Sequence, residues 1–292
     1  VNINYGCNNF CTYCIVPYVR GRERSRQMND ILAEVKALLA DGYKEITLLG
    51  QNVNSYGHDL SCGETFAKLL SQIGELPGKF RLRFMTSHPK DLSYDVIDAV
   101  AKYPNICNNI HLPVQSGSTE ILRRMNRRYT REQYLQTIER IRAKIPDVGI
   151  TTDIMVGFPD ESEQDFQDTL DLVKQAKYSS AFCFVYSRRK GTPAYSMDNQ
   201  ISAAEKRRRI TELLACQNEV TKQISAEMVG KTYEVLVEGE NFHYKNTMCG
   251  RTESGRLVNF KCEPQMIGEF VKVKIDRAAS ATLWGSIITE EK

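Results

Sequence analysis

Three cysteines near the start of the chain constrain its chemistry more than any other feature. They are Cys7, Cys11 and Cys14, at the spacing C-x3-C-x2-C, directly after the strand-like run 1–5. Thiolates hold cubane iron–sulfur clusters, normally with one cysteine for each iron. Because no fourth cysteine stands nearby, the spacing predicts a cluster in which one iron stays open to a non-protein ligand.

Two other roles are open to these cysteines. A structural zinc site wants four ligands, usually two separated pairs of Cys or His, and the sequence shows no second pair. A disulfide framework fits an odd count of nine cysteines over 292 residues poorly, so we expect a reducing, cytoplasmic setting. The remaining cysteines are scattered singly and are expected to be ordinary thiols: Cys62, Cys107, Cys183, Cys216, Cys249 and Cys262.

With the aromatic Tyr13 just before the last cysteine, the motif resembles that of the radical S-adenosylmethionine (SAM) enzymes. The resemblance implies that Cys7, Cys11 and Cys14 carry a 4Fe–4S cluster. It also implies that the open iron chelates the amino and carboxylate groups of SAM, and that an electron from the cluster cleaves the sulfonium to a 5′-deoxyadenosyl radical.

Strand-like runs alternate with helical patterns over the first three quarters of the chain, which predicts an α/β fold with parallel strands. We expect residues 1–228 to form a partial (β/α)6 barrel, as radical SAM enzymes commonly do. The carboxyl ends of barrel strands carry the working residues. The six strands are expected at 1–5, 45–49, 81–85, 109–112, 149–156 and 181–185, each followed by a polar or glycine-containing loop.

From about residue 229 the pattern changes to short alternating strands with turn signals such as 253–255. Five such strands predict a second, all-β domain over 229–292, a small barrel of OB-like character. The segment resembles the TRAM domain, an RNA-binding module of tRNA-modifying enzymes.

Longer stretches narrow the resemblance to the radical SAM methylthiotransferases of the MiaB branch: 5–18, 111–118 (HLPVQSGS), 152–159 and 186–194. These enzymes add a methylthio group to C2 of N6-isopentenyladenosine beside the anticodon of tRNA. The resemblance implies the anticodon stem-loop as partner and an electron donor such as flavodoxin or ferredoxin, and we expect a monomer. It also implies a second, auxiliary 4Fe–4S cluster held by an N-terminal domain outside this sequence, so these residues alone are expected to be incomplete for the full reaction.

Further site residues are predicted from their places near strand ends. Contacts to SAM are expected from Tyr13, Ser87, His88, Gln115, Ser116, Asp153 and Gly157. RNA contacts are expected from Arg20, Arg188, Arg189 and Lys190. The competing interpretation for His88, and for His111, is a structural histidine that bonds a neighbouring backbone group. For the basic groups it is plain solvated charge, including the pairs 123–124 and 127–128 and the run 206–209.

Three alternative functions stay open from the sequence alone. One is a sibling methylthiotransferase acting on threonylcarbamoyladenosine of tRNA or on an Asp of a ribosomal protein. Another is a non-catalytic RNA-binding scaffold, although a purely structural cluster wants a fourth protein ligand. The last is an electron carrier, which has no need of a large barrel. The net charge of +3 does not by itself argue for nucleic acid, and no apolar run is long enough for a membrane span.

Overall fold

The computed structural model describes residues 1–61 and 63–288. Its first part consists of strands that alternate with helices, as the sequence pattern predicts. The elements in order are β1 Asn4–Tyr5, α1 Val16–Arg20, β2 Arg24–Ser25, α2 Met28–Ala40, β3 Glu45–Leu48, α3 Phe66–Gly74, β4 Arg81–Phe84, α4 Tyr94–Lys102, β5 Asn109–His111, α5 Thr119–Arg124, α6 Arg131–Lys144, β6 Gly149–Val156, α7 Glu163–Ala176, β7 Ser180–Val185 and α8 Ala203–Ala226.

Strands β3 to β7 run parallel and neighbour one another in chain order. β3 pairs with β4, and β5, β6 and β7 form a second parallel sheet. The two sheets are joined by the parallel bridge Leu82–Ile106 and by the Ser87 N–H, which donates to the His111 carbonyl at 3.1 Å. The predicted partial (β/α)6 barrel followed by a small all-β barrel is therefore confirmed.

The first predicted strand, 1–5, is divided between two partners. The Ile3 N–H donates to the Leu49 carbonyl at 2.9 Å, so residues 1–3 continue the parallel arrangement beyond β3. β1 instead pairs antiparallel with β2, Asn4 opposite Ser25. The chain therefore leaves the barrel just before the cysteines and is held there by the segment that follows them.

Amphipathic helices cover the outside of the barrel. α3 shows the pattern clearly, because Phe66, Leu69, Leu70 and Ile73 recur at helical spacing and are all buried. Thr130 and Ser162 form capping boxes at the starts of α6 and α7, which satisfy backbone N–H groups that a helix end leaves free. The caps thereby fix where α6 and α7 begin, and with them the loops that lead into these two helices.

The remaining strands close into a five-stranded barrel in the order β10-β12-β11-β8-β9. It has its own core, which includes Val235, Val258, Val273 and Leu283. Closure removes exposed sheet edges. Its strands are β8 Thr232–Glu240, β9 Met248–Thr252, β10 Leu257–Phe260, β11 Phe270–Ala278 and β12 Thr282–Ile287.

Buried arginines attach this small barrel to the amino-terminal ends of the larger barrel's strands. Arg83 donates to the carbonyls of Glu253 at 2.9 Å and Thr252 at 2.8 Å. Arg256 reaches back to the Ser179 carbonyl, just before β7, at 2.6 Å. The small barrel thus packs at the end of the α/β barrel opposite to the loops that follow the strands.

None of the helices within the described residues combines the length and apolar character that a membrane crossing needs.

Candidate active site

The loop that carries the three cysteines is built by contacts to a distant segment of the chain. The Thr12 N–H donates to the Met125 carbonyl at 3.1 Å, and Asn126 Nδ2 donates to the carbonyls of Asn9 and Phe10 at 3.2 and 3.0 Å. Phe10 has φ +48°, a left-handed conformation that a side chain adopts at a cost. The residues after α5 therefore brace the cysteine loop in a specific shape.

A glycine sets the approach to the loop. Gly6 has φ +76°, and a Cβ at this position would lie 2.1 Å from the Arg22 carbonyl oxygen. Only glycine fits both the backbone angle and the space. The Cys7 N–H then donates to the Gly21 carbonyl at 3.2 Å, which fixes the first cysteine against the returning chain.

The three thiols are free and line one cavity of about 350 Å³. Cys11 is buried, and Cys7 and Cys14 are half-buried. Burial raises the pKa of the Cys7 and Cys14 thiols, so bound iron would have to displace their protons.

Among the described residues, no three Cys, His, Asp or Glu side chains come close enough together to hold one metal ion. A single zinc ion needs such convergence. A cubane cluster spreads its thiolates over separate irons and does not. Metal analysis of the purified protein distinguishes the two groups.

The other cysteines do not form a second group of this kind among the described residues. Cys107 is buried, and Cys183, Cys216, Cys249 and Cys262 are half-buried free thiols. Cys62 lies outside the described residues.

Loops that follow successive strands supply the rest of the cavity wall, as expected for the carboxyl end of an α/β barrel. Most of the predicted cofactor-binding residues lie here together with the cysteines. The lining residues beyond the cysteines are Asn9, Tyr13, Val16, Gly50, Gln51, Thr86, Ser87, His88, Pro113, Gln115, Arg127 and Asp153.

Three polar atoms in residues that line this cavity are buried and have no protein partner: Gln51 Oε1, Ser87 Oγ and His88 Nε2. An unsatisfied buried polar group costs about 1–3 kcal/mol. A ligand with several hydrogen-bonding groups offsets that cost, and SAM carries an amino group, a carboxylate, a ribose and an adenine. The cavity therefore fits SAM beside the cysteines.

His88 is held as a neutral donor. Its Nδ1 accepts the Lys90 N–H at 3.3 Å, which leaves the ring proton on Nε2. Burial, and then the nearby Arg127 cation, hold the His88 pKa far below its usual value. The ring can therefore offer an N–H to a ligand at neutral pH without carrying a charge.

Asp153 and Gln115 are tied together by the backbone. The Gln115 N–H donates to the Asp153 carbonyl at 2.9 Å, and Gln115 has φ +76°, an uncommon conformation for a residue with a side chain. Asp153 Oδ1 lies 3.5 Å from His111 Nε2, and His111 Nδ1 lies 3.0 Å from Thr151 Oγ1. The Asp153 carboxylate at the cavity wall thus lies beside the His111 ring.

The structure places two of the predicted SAM-binding residues away from the cavity wall. Ser116 is fully buried, with its hydroxyl 3.4 Å from Thr169 Oγ1 and accepting the Ser118 N–H, so it supports a loop. Gly157 has φ +74° and donates its N–H to Glu161 Oε2 at 2.6 Å. Both predictions arose because these residues follow strands, but their polar groups are used within the protein.

The predicted RNA-binding residues are exposed beside the cysteine loop. Arg20 ends α1, the helix that starts two residues after Cys14. Arg188, Arg189 and Lys190 precede a segment in which the Ala194 N–H donates to the Thr12 carbonyl at 2.9 Å. These four cations therefore border the same end of the barrel as the cavity.

Sequence reasoning missed Arg127, which was counted within a basic pair that solvates a helix or loop. Its guanidinium is buried at the cavity, with Nη1 3.4 Å from Cys11 Sγ and Nη2 2.7 Å from the Pro113 carbonyl. The pair 127–128 looks like any exposed basic pair, so no signal in the single sequence distinguishes Arg127 from Arg128.

His88 makes the stability of the cluster-free chain depend on pH. Unfolded His88 binds a proton below its ordinary pKa of about 6.5, whereas folded His88 does not, so stability is lost as pH falls. We expect about 1 kcal/mol of this loss between about pH 7 and about pH 5.5. Urea unfolding at both pH values should show this loss in wild type and in the exposed control variant His243→Gln. The variant His88→Gln should not show it. Equal pH dependence in wild type and His88→Gln would contradict the assignment.

Family models match both parts of the chain. Residues 1–173 match the model described as the radical SAM superfamily, and residues 226–288 match the TRAM domain.

Two similar curated proteins carry the name tRNA-2-methylthio-N(6)-dimethylallyladenosine synthase. The one from Clostridium botulinum strain Langeland is 56% identical over 288 residues, which is 99% of this chain and 64% of that protein. The one from Acetivibrio thermocellus is 50% identical, over 99% of this chain and 60% of that protein. The chain thus spans less than two thirds of the length of these relatives.

Solved structures support the fold. Coproporphyrinogen III oxidase (HemN) from Escherichia coli, described as a radical SAM enzyme, matches with a TM-score of 0.53 and 15% identity, over 99% of this chain and 71% of that one. The radical SAM methyltransferase TsrM from Kitasatospora setae matches with a TM-score of 0.56 and 17% identity, over 67% of this chain and 38% of that one. The match of residues 1–173 to the superfamily model shows that the chain belongs to the radical SAM superfamily.

Proposed function

We propose that Cys7, Cys11 and Cys14 hold a 4Fe–4S cluster and that SAM binds beside it in the same cavity. The superfamily implies both groups, and three free thiols line a cavity with unsatisfied polar atoms. When bound, the cluster supplies the electron that cleaves SAM. The polar groups of SAM are oriented by the neutral His88 N–H, the Ser87 hydroxyl and the Asp153 carboxylate. Tyr13, within the cysteine loop, forms part of the cavity wall.

We propose that the protein is a tRNA methylthiotransferase that modifies C2 of N6-isopentenyladenosine beside the anticodon. The observation that carries this proposal is the identity of 56% and 50%, over 99% of the chain, to proteins named for that reaction. An aromatic C2–H offers no leaving group and no acidic proton, which explains why a radical cofactor is required. The same names favour the isopentenyl (dimethylallyl) substrate over the threonylcarbamoyl one.

Two parts of the chain are proposed to contact the anticodon stem-loop. The exposed cations Arg20, Arg188, Arg189 and Lys190 border the cavity mouth, where phosphate oxygens of a bound loop would lie. Residues 229–292 are proposed as the RNA-binding domain, in line with the match of 226–288 to the TRAM domain, and 1–228 as the catalytic domain.

The remaining components are also proposals. The methylthio sulfur is expected from an auxiliary cluster bound outside these 292 residues, because the other described cysteines stand singly. A flavodoxin or ferredoxin is the proposed electron donor. A cytoplasmic location, where tRNA is found, and a monomeric state are proposed as well.

The test compares the 292-residue chain with a fusion that adds the part of the Clostridium botulinum relative outside the matched region. After anaerobic reconstitution, each is incubated with SAM, reductant and tRNA that carries either N6-isopentenyladenosine or threonylcarbamoyladenosine, and nucleosides are analysed by mass spectrometry. We expect the 2-methylthio product from the fusion on isopentenyl tRNA only, and deoxyadenosine without that product from the 292 residues. Product on threonylcarbamoyl tRNA alone would favour the sibling activity, and product from the 292 residues would refute the need for an auxiliary cluster.

A further inference from the structure

We propose that Arg127 sets the reduction potential of the cluster through a hydrogen bond to the sulfur of Cys11. The inference rests on the proposed binding of a cluster by the three cysteines. It assigns to Arg127 a positioning and electrostatic role, in which the residue acts through a cluster ligand.

The first support is geometric. Arg127 is 4% exposed, and each nitrogen of its guanidinium has a partner. Nε donates to the Tyr129 hydroxyl at 2.9 Å, Nη2 donates to the Pro113 carbonyl at 2.7 Å, and Nη1 faces Cys11 Sγ at 3.4 Å and the Tyr13 hydroxyl at 3.5 Å. Two of these contacts fix the plane of the fork, and its remaining end points at the sulfur.

The second support is charge. None of the four partners is a carboxylate, and an uncompensated buried cation is costly. The Cys11 sulfur is the partner that becomes an anion when iron binds, because iron takes the thiolate. Arg127 is therefore complementary to a ligated Cys11 and not to a free thiol.

The consequence concerns electron transfer. Hydrogen bonds to the sulfurs and local charge set the potentials of iron–sulfur clusters. Reduction by one electron, from dithionite in the experiment below, adds one negative charge at the site. The fixed cation stabilises that added charge, while no bond to Arg127 forms or breaks. Loss of the cation should make the cluster harder to reduce.

The experiment is a dithionite titration of the reconstituted protein without SAM, followed by electron paramagnetic resonance of the reduced cluster. Arg127→Gln is expected to lower the equilibrium constant for reduction at least tenfold, which equals about 59 mV for a one-electron couple. Arg127→Lys, which keeps the charge without the planar fork, should lie between Arg127→Gln and wild type. Arg128→Gln removes the same charge at the exposed neighbour and should change the constant less than twofold.

Each outcome is decisive. An unchanged potential in Arg127→Gln with wild-type iron content would overturn the inference and leave the proposed function intact, whereas a wild-type protein that binds no iron would overturn the proposed function itself. If circular dichroism shows that Arg127→Gln is folded but the variant takes up no iron, the result for Arg127→Lys tests the role of the charge. Recovery of iron with an intermediate potential supports the role of the charge, and equal loss of iron refutes it. A role limited to the SAM carboxylate would leave the SAM-free potential unchanged.

Discussion

Replacing any one of Cys7, Cys11 and Cys14 by alanine is expected to abolish both the bound cluster and the cleavage of SAM. A cubane with three protein thiolates cannot lose one of them and still leave a single iron for SAM. After anaerobic reconstitution, we expect about four irons per wild-type chain and formation of 5′-deoxyadenosine. The three variants should form no deoxyadenosine and should have lost most of their iron.

Cys262→Ala is the matched control for these variants. Cys262 is a free, half-buried thiol, like Cys7 and Cys14, but it lies in the small barrel at the other end of the molecule. The control should keep wild-type iron and wild-type deoxyadenosine formation. Full iron content in any of the three cysteine variants, or tight zinc binding by the wild type in place of iron, would contradict the cluster assignment and return the motif to a structural metal site.

The sequence is enough to predict that the cysteine loop lies close to residues in the loops after other strands, namely Gln51, Ser87, His88 and Gln115. Parallel βα units force every strand to end on the same side, so a polar loop after each strand is enough to predict a shared site. The spacing of the cysteines adds local information that does not depend on the rest of the fold. These two features rest on topology and on short-range pattern, which a single sequence carries.

Features that depend on long-range packing were not predictable. Asn126 and Arg127 brace and face the cysteine loop from more than a hundred residues away in the chain. Arg81 and Arg83 occupy a strand whose apolar partners Leu82 and Phe84 are typical of any half-buried strand, yet both arginines bond carbonyls of the small barrel. From a single sequence, a charged side chain is predicted to be exposed unless its buried partners are known.

The same limitation explains why Ser116 and Gly157 lie away from the cavity wall. Position after a strand brings Ser116 and Gly157 near the site, but it does not say whether their polar groups turn towards the cavity or back into the protein. Thr169 and Glu161, on and just before α7, accept or approach those groups. Only the packing of that helix against the loops decides between the two directions.

Arg209→Met is expected to reduce the free energy of unfolding by about 3–5 kcal/mol, the usual cost of removing one partner of a buried ion pair. Arg209 was counted in a solvated basic run, but its side chain is 5% exposed and pairs with Glu161, whose side chain is fully buried, at 2.7 Å. Glu161 also accepts the Gly157 N–H at 2.6 Å, so the pair supports the loop after β6. Without Arg209, a carboxylate would stay buried without its cation.

Neighbouring Arg208 provides the comparison, since it is more exposed and its ion pairs lie at the surface with Glu163, Glu205 and Glu212. Arg208→Met should have a much smaller effect, because surface ion pairs contribute little. The double variant Arg209→Met/Glu161→Gln should recover part of the loss, because the amide oxygen still accepts the Gly157 N–H and carries no charge. Urea unfolding of the four proteins measures these differences.

The pH dependence of Arg209→Met supplies the deciding measurement. Burial already raises the pKa of Glu161, with Arg209 acting in the opposite direction. Loss of Arg209 should therefore raise that pKa further. A raised carboxyl pKa in the folded state makes stability fall as pH rises through it, so the deficit of Arg209→Met should be larger at about pH 7 than at about pH 5. A deficit that is independent of pH, or equal losses in Arg208→Met and Arg209→Met, would show that the Arg209 side chain contributes packing and not charge.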